Sequence, residues 1–137
     1  MKFLLDTNIV SEMTKPNPDP GVETRFVSHR GASVISVITW HELRFGVARL
    51  PASRRNALLE EFIETVVGVR PPLPYEMRAA EWHAAQRARL EAAGRSLPFV
   101  DGQIAAIAAV NGLTLITRNV SDFRGLKGLK VERWHSS

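Results

Sequence analysis

The chain has 137 residues, of which 45% are hydrophobic and 23% charged, the balance of an ordinary globular protein. This length favours one domain, residues 1–137, with a core that needs no cross-links. The absence of cysteine excludes disulfides, thiolate metal sites and cysteine nucleophiles, and agrees with a cytoplasmic location. The net charge of +4 makes a polyanionic partner plausible but does not demonstrate one.

The apolar segments of the sequence are short. The N-terminal apolar run, Phe3 to Leu5, ends at Asp6 and is too short for a secretory signal, so we expect none. No segment approaches the roughly 20 apolar residues of a membrane span, so no membrane partner is expected. The chain also contains no internal repeat or low-complexity tract.

Taken in chain order, the apolar pattern predicts strands that alternate with helices. Predicted strands cover residues 2–5, 32–36, 113–116 and 131–134, with a further short strand at Val69. Predicted helices cover residues 7–13, 20–28, 37–49, 53–66, 75–93 and 98–110, with Asp19 and Ser53 as caps and Gly68 ending the fourth helix. This alternation predicts an α/β fold, a parallel β-sheet of four to five strands sandwiched by helices in three layers.

Three acidic residues follow predicted strands or begin predicted helices. Asp6 directly follows the first strand, Asp122 lies in the turn after the strand that ends at Ile116, and Asp101 lies in the first turn of its helix. Each also has an ordinary structural explanation. A helix cap explains Asp6, a turn explains Asp122, and the favourable helix dipole explains Asp101.

Glu42 lies on a helix that is apolar on several sides. Ile38 and Phe45 are its neighbours four residues before and three residues after it on the predicted helix, where a surface glutamate more often has polar neighbours. We therefore expect Glu42 to be partly buried, with a cation as its natural partner, because an unpaired buried carboxylate is costly. The alternative is a solvated surface glutamate.

These acids become more informative when taken together. The carboxyl ends of parallel strands meet at one edge of a sheet, where α/β proteins bind their ligands. Four carboxylates at that edge would repel one another without a cation, and oxygen ligands favour a hard ion such as Mg²⁺ or Mn²⁺. Such ions promote phosphodiester hydrolysis. The pattern therefore predicts a metal-dependent ribonuclease.

The same residues resemble a known family, the PIN domain, and in particular the VapC-type toxins of bacterial toxin–antitoxin pairs, with the FitB-like branch most similar. The resemblance covers nearly the whole chain and rests on four segments in order: Leu5–Asn8, Trp40–Leu43, Asp101–Ala106 and Thr117–Phe123. It implies a Mg²⁺- or Mn²⁺-dependent endoribonuclease that leaves a 3′-hydroxyl and a 5′-phosphate. It also implies a homodimer that a cognate VapB-like antitoxin holds inactive, with a toxin–antitoxin hetero-oligomer as a further expected assembly.

By position, four residues match the family's acidic metal-binding quartet: Asp6, Glu42, Asp101 and Asp122. Thr7 and Asn119 match supporting polar positions near the metal, and Asn8 is expected to organise the turn after the first strand. Gly102 departs from the family pattern, in which many relatives have alanine, and this glycine is expected to loosen the start of its helix.

Several other side chains have two interpretations. Arg118 is either a phosphate ligand or a surface arginine, and the arginines of the third and fourth helices are either an RNA track or a solvated face that contacts an antitoxin. The large aromatic side chains are predicted to be core or dimer-interface residues, with RNA stacking as the alternative: Trp40, Phe45, Phe62 and Trp82. The four histidines show no metal-ligand spacing.

Two other functions compete with the ribonuclease. One is a binding module that keeps the fold without cutting RNA. The other is an aspartate-nucleophile phosphatase with Asp6 as nucleophile. Such enzymes normally have a second aspartate two residues further on, where this chain has Asn8.

Overall fold

The computed structural model describes residues 1–67 and 69–136, so the predicted helix end at Gly68 lies outside the described residues. A four-stranded sheet forms its centre, in the order β2–β1–β3–β4, and every neighbouring pair is parallel. The strands are β1 (Phe3–Leu5), β2 (Ser33–Val34), β3 (Thr114–Ile116) and β4 (Lys130–Glu132). The parallel three-layer architecture predicted from the alternating pattern is therefore confirmed.

Six α-helices occur within the described residues. They are α1 (Thr7–Glu12), α2 (Pro20–Ser28), α3 (Val37–Ala48), α4 (Arg54–Phe62), α5 (Met77–Ala92) and α6 (Phe99–Val110). The predicted caps are present, because the Asp19 side chain accepts hydrogen bonds at the start of α2 and Ser53 does so at the start of α4. The fourth helix differs from the prediction, since its regular part ends at Phe62 and the chain continues as a π-helical turn, Ile63–Val67.

The sheet separates two apolar cores because successive strand residues point to opposite faces. On one face, Phe3 and Leu5 pack with buried residues of α1, α2 and α3, such as Ile9, Val22 and Leu43. On the other face, Leu4 packs with α5 and α6. Small side chains let α6 pack close to the sheet, because three of its alanines are fully buried in this second core: Ala105, Ala106 and Ala108.

Two predicted strand positions are wrong. Val69 lies in a turn, and the extra parallel bridge joins Leu73 to Ser36 instead. Pro71 and Pro72 precede that bridge and lack the N–H that a sheet ladder needs, so pairing begins only after them. Trp134 lies beyond β4, which ends at Glu132, and its ring is a fully buried part of the first core.

The C-terminal segment is fastened to the start of α2. The Ser136 N–H and hydroxyl group donate to the Asp19 carboxylate at 3.0 and 3.1 Å, and Arg25 donates to the Trp134 carbonyl at 3.1 Å. Gly21 lets the two segments approach, because a β-carbon there would lie 2.5 Å from the Trp134 carbonyl oxygen. No helix of the described residues is both long enough and apolar enough to cross a lipid bilayer.

Candidate active site

The predicted site residues lie around the carboxyl ends of the two central strands. Asp6 directly follows β1, and Thr117 directly follows β3. These strands pair in parallel with Leu5 opposite Ile116, and the Asp6 N–H donates to the Ile116 carbonyl at 2.9 Å. Asp6 and Thr117 therefore occupy corresponding positions at one edge of the sheet, as the ends of neighbouring parallel strands must.

Asp6 is a buried carboxylate, with only 6% of its surface exposed. Its Oδ1 accepts from the Thr7 N–H at 2.8 Å, and its Oδ2 accepts from the Thr117 hydroxyl at 2.8 Å and from the Asn8 amide at 3.4 Å. Burial raises the pKa of Asp6, these hydrogen bonds lower it, and the negative charge of Glu42 raises it again. The hydrogen bonds fix the orientation of this carboxylate.

Asn8 links the two strand ends, in keeping with its predicted role in organising the turn after the first strand. Its amide also lies 3.3 Å from the Thr117 hydroxyl, and its carbonyl oxygen accepts from the Arg118 N–H at 3.2 Å. One side chain thus joins the turn after β1 to the residues that follow β3.

Glu42 enters the site from α3 and is held by Thr7. The Thr7 hydroxyl donates to Glu42 Oε1 at 2.8 Å and lies 3.1 Å from the fully buried Thr39 hydroxyl, which lies 3.5 Å from that of Ser36. Ser36 also caps α3 by accepting from the Thr39 N–H at 3.1 Å. A chain of hydroxyl groups therefore connects the end of β2 to this carboxylate.

The expectation that Glu42 is partly buried is wrong, since its side chain is exposed. The face of α3 that the fold covers is defined by Thr39, Leu43 and Val47, spaced at intervals of four residues. Glu42 lies about 100° around the helix from Leu43, at the margin of that face. Phe45 lies on the outer side of the same helix and is 56% exposed.

Asp101 lies in the first turn of α6 and is partly buried. Its pKa is raised from the ordinary value of 3.8 to about 6, and burial is the largest cause. The negative charges of the other three acids add to the shift: Asp6, Asp122 and Glu42. Charges act in this way only over limited distances, so the Asp101 carboxyl lies within electrostatic range of the other three acids.

Asp122 is an exposed residue in a short 3-10 turn, Val120–Phe123, which follows β3. Its N–H donates to the Asn119 carbonyl at 3.0 Å, and the Asn119 N–H donates to the Thr117 hydroxyl at 3.2 Å. The turn is thus attached to the same threonine that binds Asp6. Within residues 1–67 and 69–136, the Asn119 side chain makes no hydrogen bond to the four acids, and the hydrogen bonds of Asn119 to Asp122 and Thr117 come from its backbone.

The donor set suits a hard divalent cation, because it consists of carboxylate oxygens supported by hydroxyl groups. The raised pKa of Asp101 also favours a cation at this site, since a nearby positive charge would relieve the repulsion between Asp101 and the other acids. Over the described part of the chain, no three His, Cys, Asp or Glu side chains lie close enough to ligate one ion as placed. Glu42 and Asp122 are exposed, so their rotation towards Asp6 and Asp101 would not disturb the core.

Sequence reasoning missed two residues of this site. Thr117 is fully buried and supplies a hydrogen bond to Asp6, and the buried Thr39 supports Thr7. The signal for Thr117 was present in the sequence, because it follows β3 directly just as Asp6 follows β1. Using that signal requires the knowledge that β1 and β3 are neighbours in the sheet.

The arginines and aromatic residues with two interpretations are best described by the contacts they make. Arg118 is exposed, and its carbonyl accepts from Arg133 at 2.8 Å. Arg44 pairs with Glu60 and Glu64 of the neighbouring helical segment at 3.4 and 3.6 Å, as expected of a solvated face. Three of the four large aromatic side chains pack partly buried against the two cores, as predicted: Trp40, Phe62 and Trp82.

Fold and site together define a class of protein: a parallel α/β domain with acidic side chains near the carboxyl ends of its central strands. The PIN domain family matches residues 3–128, and the chain belongs to that family. This assignment agrees with the resemblance seen in the four sequence segments.

The curated relatives include nucleases and toxins of similar length. The tRNA(fMet)-specific endonuclease VapC of Shigella flexneri is 34% identical over 135 residues, which covers 98% of each chain. Toxin FitB of Neisseria gonorrhoeae is 32% identical over 137 residues, covering 97% of this chain and 99% of the toxin. The fold also superimposes on FitAcB from Neisseria gonorrhoeae with a TM-score of 0.84, at 32% identity over 94% of this chain and 95% of that one.

A second solved structure is that of DNA-bound VapBC from Salmonella typhimurium. It matches with a TM-score of 0.84 at 29% identity over 98% of each chain. The similarity therefore extends over nearly the whole domain in both sequence and structure.

Proposed function

We propose that this chain is an endoribonuclease toxin of a toxin–antitoxin pair, dependent on Mg²⁺ or Mn²⁺, that hydrolyses RNA phosphodiester bonds. The observation that carries the proposal is that Thr7 binds two of the acids at once, donating its N–H to Asp6 and its hydroxyl to Glu42, both at 2.8 Å. The raised pKa of Asp101, to which the charges of the other three acids contribute, supports it. Relatives that cover almost the whole chain are named as endonucleases and toxins, which supports the same reaction.

In this proposal Asp6, Glu42, Asp101 and Asp122 hold the metal. A bound divalent cation would polarise the phosphate and activate water for attack, leaving a 3′-hydroxyl and a 5′-phosphate. Thr117 favours the ionised form of Asp6 and orients its carboxylate by donating to it, and Thr7 orients Glu42 by the same kind of hydrogen bond. Asn119 is proposed to support the site from the turn that carries Asp122.

Cleavage of RNA by the purified protein, with and without EDTA, tests the reaction. Asp6→Asn is expected to abolish cleavage while the fold survives, because it removes one charge from the carboxylate set. Glu23→Gln, at an exposed position in the first turn of α2, is the matched control and is expected to cleave as wild type. End-mapping must place phosphate on the 5′ ends, and wild-type-like activity of Asp6→Asn would refute the site.

The first RNA to test is initiator tRNA, because two of the relatives are named tRNA(fMet)-specific endonucleases. A panel of purified tRNAs, each incubated with the protein and Mn²⁺, measures the preference as relative initial rates. Equal rates on all tRNAs would contradict initiator specificity without affecting the nuclease assignment.

An antitoxin is the proposed protein partner, since the similar solved structures include a toxin–antitoxin complex and a member of a toxin–antitoxin family. A cleft of about 770 Å³ beside Thr7 and Glu42 offers it an apolar surface, which includes the exposed Phe45 and Leu50. We further propose a homodimer. Co-expression with a small protein encoded immediately upstream is expected to block RNA cleavage, and light scattering of the free chain measures its oligomeric state.

A binding module without catalysis is the second candidate. The observation in its favour is that, among the described residues, no three acidic or histidine side chains are placed close enough to ligate one ion. Calorimetry with Mn²⁺ separates the two functions. Binding that disappears in Asp6→Asn supports the nuclease, whereas no binding by the wild-type chain supports the module. Membership of the PIN domain family removes the basis for an aspartate-nucleophile phosphatase.

A further inference from the structure

Gly102, the residue after Asp101, has a neighbour in the space where its side chain would be. A β-carbon at this position would lie 2.1 Å from Nε2 of His83, 2.7 Å from Cδ2 and 2.9 Å from Cε1. The obstacle is therefore the imidazole ring itself, which lies directly over the backbone of the first turns of α6. The glycine on α6 and the histidine on α5 form a matched pair.

The His83 ring is held in this position from other sides. It is buried, and its Nδ1 lies 2.9 Å from the Tyr75 hydroxyl, within hydrogen-bond distance. Its centroid lies 4.8 Å from that of Phe99, the first residue of α6, with the two rings tilted by 49°. The ring therefore contacts α6 on both sides of Asp101, at Phe99 and at Gly102.

The start of α6 has no side-chain cap, although Arg87 of α5 also lies over the Phe99 ring, 5.6 Å from its centroid. Pro98 occupies the capping position, and no side chain makes the hydrogen bond that normally closes a helix start. Packing against His83 of α5 replaces that restraint. Asp101 lies in the chain between the two residues that the ring contacts, Phe99 and Gly102.

We propose that His83 is a positioning residue for Asp101, which it places by packing into the space left by the missing side chain of Gly102. The proposal rests on the proposed function, since Asp101 is there a metal ligand. A ligating group must be held to within about 0.5 Å of its productive position, so a shift in the first turn of α6 weakens the site. His83 itself touches neither metal nor RNA in this role.

The proposed role of His83 and Gly102 is tested with two single variants and the double variant. His83→Ala removes the ring, Gly102→Ala introduces the clashing methyl group, and the double variant puts that methyl group where the ring had been. Mn²⁺ affinity measured by calorimetry is the readout, alongside RNA cleavage and urea denaturation. Each single variant is expected to bind Mn²⁺ about 10–100-fold more weakly, as substitutions behind metal ligands do.

The double variant is expected to recover affinity to within about threefold of wild type, because the two changes compensate for each other. Leu90→Ala is the matched control, since Leu90 is a buried residue of the same helix α5, close to its C-terminal end. It is expected to lower stability and leave Mn²⁺ affinity unchanged. If His83→Ala does not fold, the proposal is still tested by comparing the Mn²⁺ affinity of Gly102→Ala with that of the double variant.

Two results would overturn the proposal without refuting the proposed function. One is wild-type Mn²⁺ affinity in Gly102→Ala and His83→Ala while Asp6→Asn abolishes binding, which leaves the nuclease assignment intact. The other is a loss in Leu90→Ala equal to that in His83→Ala, which makes the effect a general loosening of α5. A wild-type chain that neither binds Mn²⁺ nor cleaves RNA refutes the proposed function and removes this role of His83 with it.

Discussion

Replacing Asp101 by asparagine is expected to stabilise the metal-free protein at pH 8 while abolishing RNA cleavage. Burial and three neighbouring carboxylates raise the pKa of Asp101 to about 6, so its ionised form is unfavourable in the folded chain. Asparagine has nearly the same shape and no charge. The substitution therefore removes a cost that the folded protein incurs in order to keep a carboxylate in the site.

The magnitude follows from the size of the shift. A pKa raised from 3.8 to about 6 corresponds to about 3 kcal/mol of unfolding free energy at pH 8. This is an upper bound, because Asp101 is only partly buried and solvent screens its repulsion. The helix dipole also favours a carboxylate in the first turn by about 0.5 kcal/mol, which the variant loses. A gain of about 1–2 kcal/mol is expected.

The sign of the pH dependence is also determined. The pKa of Asp101 is higher in the folded than in the unfolded chain, so the folded chain binds more protons between pH 4 and pH 6. Wild-type stability therefore falls as the pH rises through that window. The advantage of the variant is full at pH 8, falls to about half by pH 5 and disappears as the pH approaches the unfolded pKa.

Urea denaturation in EDTA at pH 8 and pH 5 measures this difference directly, with Glu23→Gln as the surface control. Saturating Mn²⁺ at pH 8 is expected to make the wild-type chain more stable to urea than Asp101→Asn, because only the wild-type chain keeps all four proposed metal ligands. An Asp101→Asn variant that is no more stable than wild type at pH 8 would refute the electrostatic coupling. A gain of the same size at both pH values would contradict the titration argument.

Two further predictions concern single contacts. Thr117→Val keeps the shape but removes the 2.8 Å hydrogen bond that lowers the pKa of Asp6, so that pKa should rise and stability should fall by about 1.5–3 kcal/mol. Carboxyl NMR titration and urea denaturation check this, and an unchanged titration would contradict it. Gly46→Ala meets open space on α3 and should stabilise by about 0.5–1 kcal/mol, whereas Gly21→Ala meets the Trp134 carbonyl and should destabilise by about 1–3 kcal/mol. Thermal melting separates the two, and shifts in the same direction would refute the packing argument.

Features that depend on neighbouring residues in the chain were predicted well. The helix at residues 20–28 agrees with α2 at both ends, because Asp19 caps it and Pro20 fits its first turn. Strands β1 and β3 lie within the predicted apolar runs, which are short and bounded by polar residues. The alternation of these elements was enough to predict the parallel three-layer architecture.

Features that depend on which surface the rest of the fold covers were predicted less well. Glu42 has apolar neighbours on its helix, yet the covered face is defined by Thr39, Leu43 and Val47, and the glutamate is exposed. Trp134 was placed in a strand, whereas it lies beyond β4 and fills the first core. The local sequence pattern shows that a helix has an apolar side. It does not show how much of that side the neighbouring helices and strands cover.

The sequence by itself determined the order of strands and helices, and it placed each acidic residue relative to the end of a strand or the start of a helix. Caps, prolines and apolar spacing act between residues a few positions apart, so the chain expresses them locally. Only the tertiary structure decided which distant side chains meet. Asp6 and Thr117 are 111 residues apart and hydrogen-bond because β1 and β3 are neighbours, and His83 covers Gly102 because α5 packs against α6. Such contacts depend on strand order and on the approach of two helices, which local spacing does not encode.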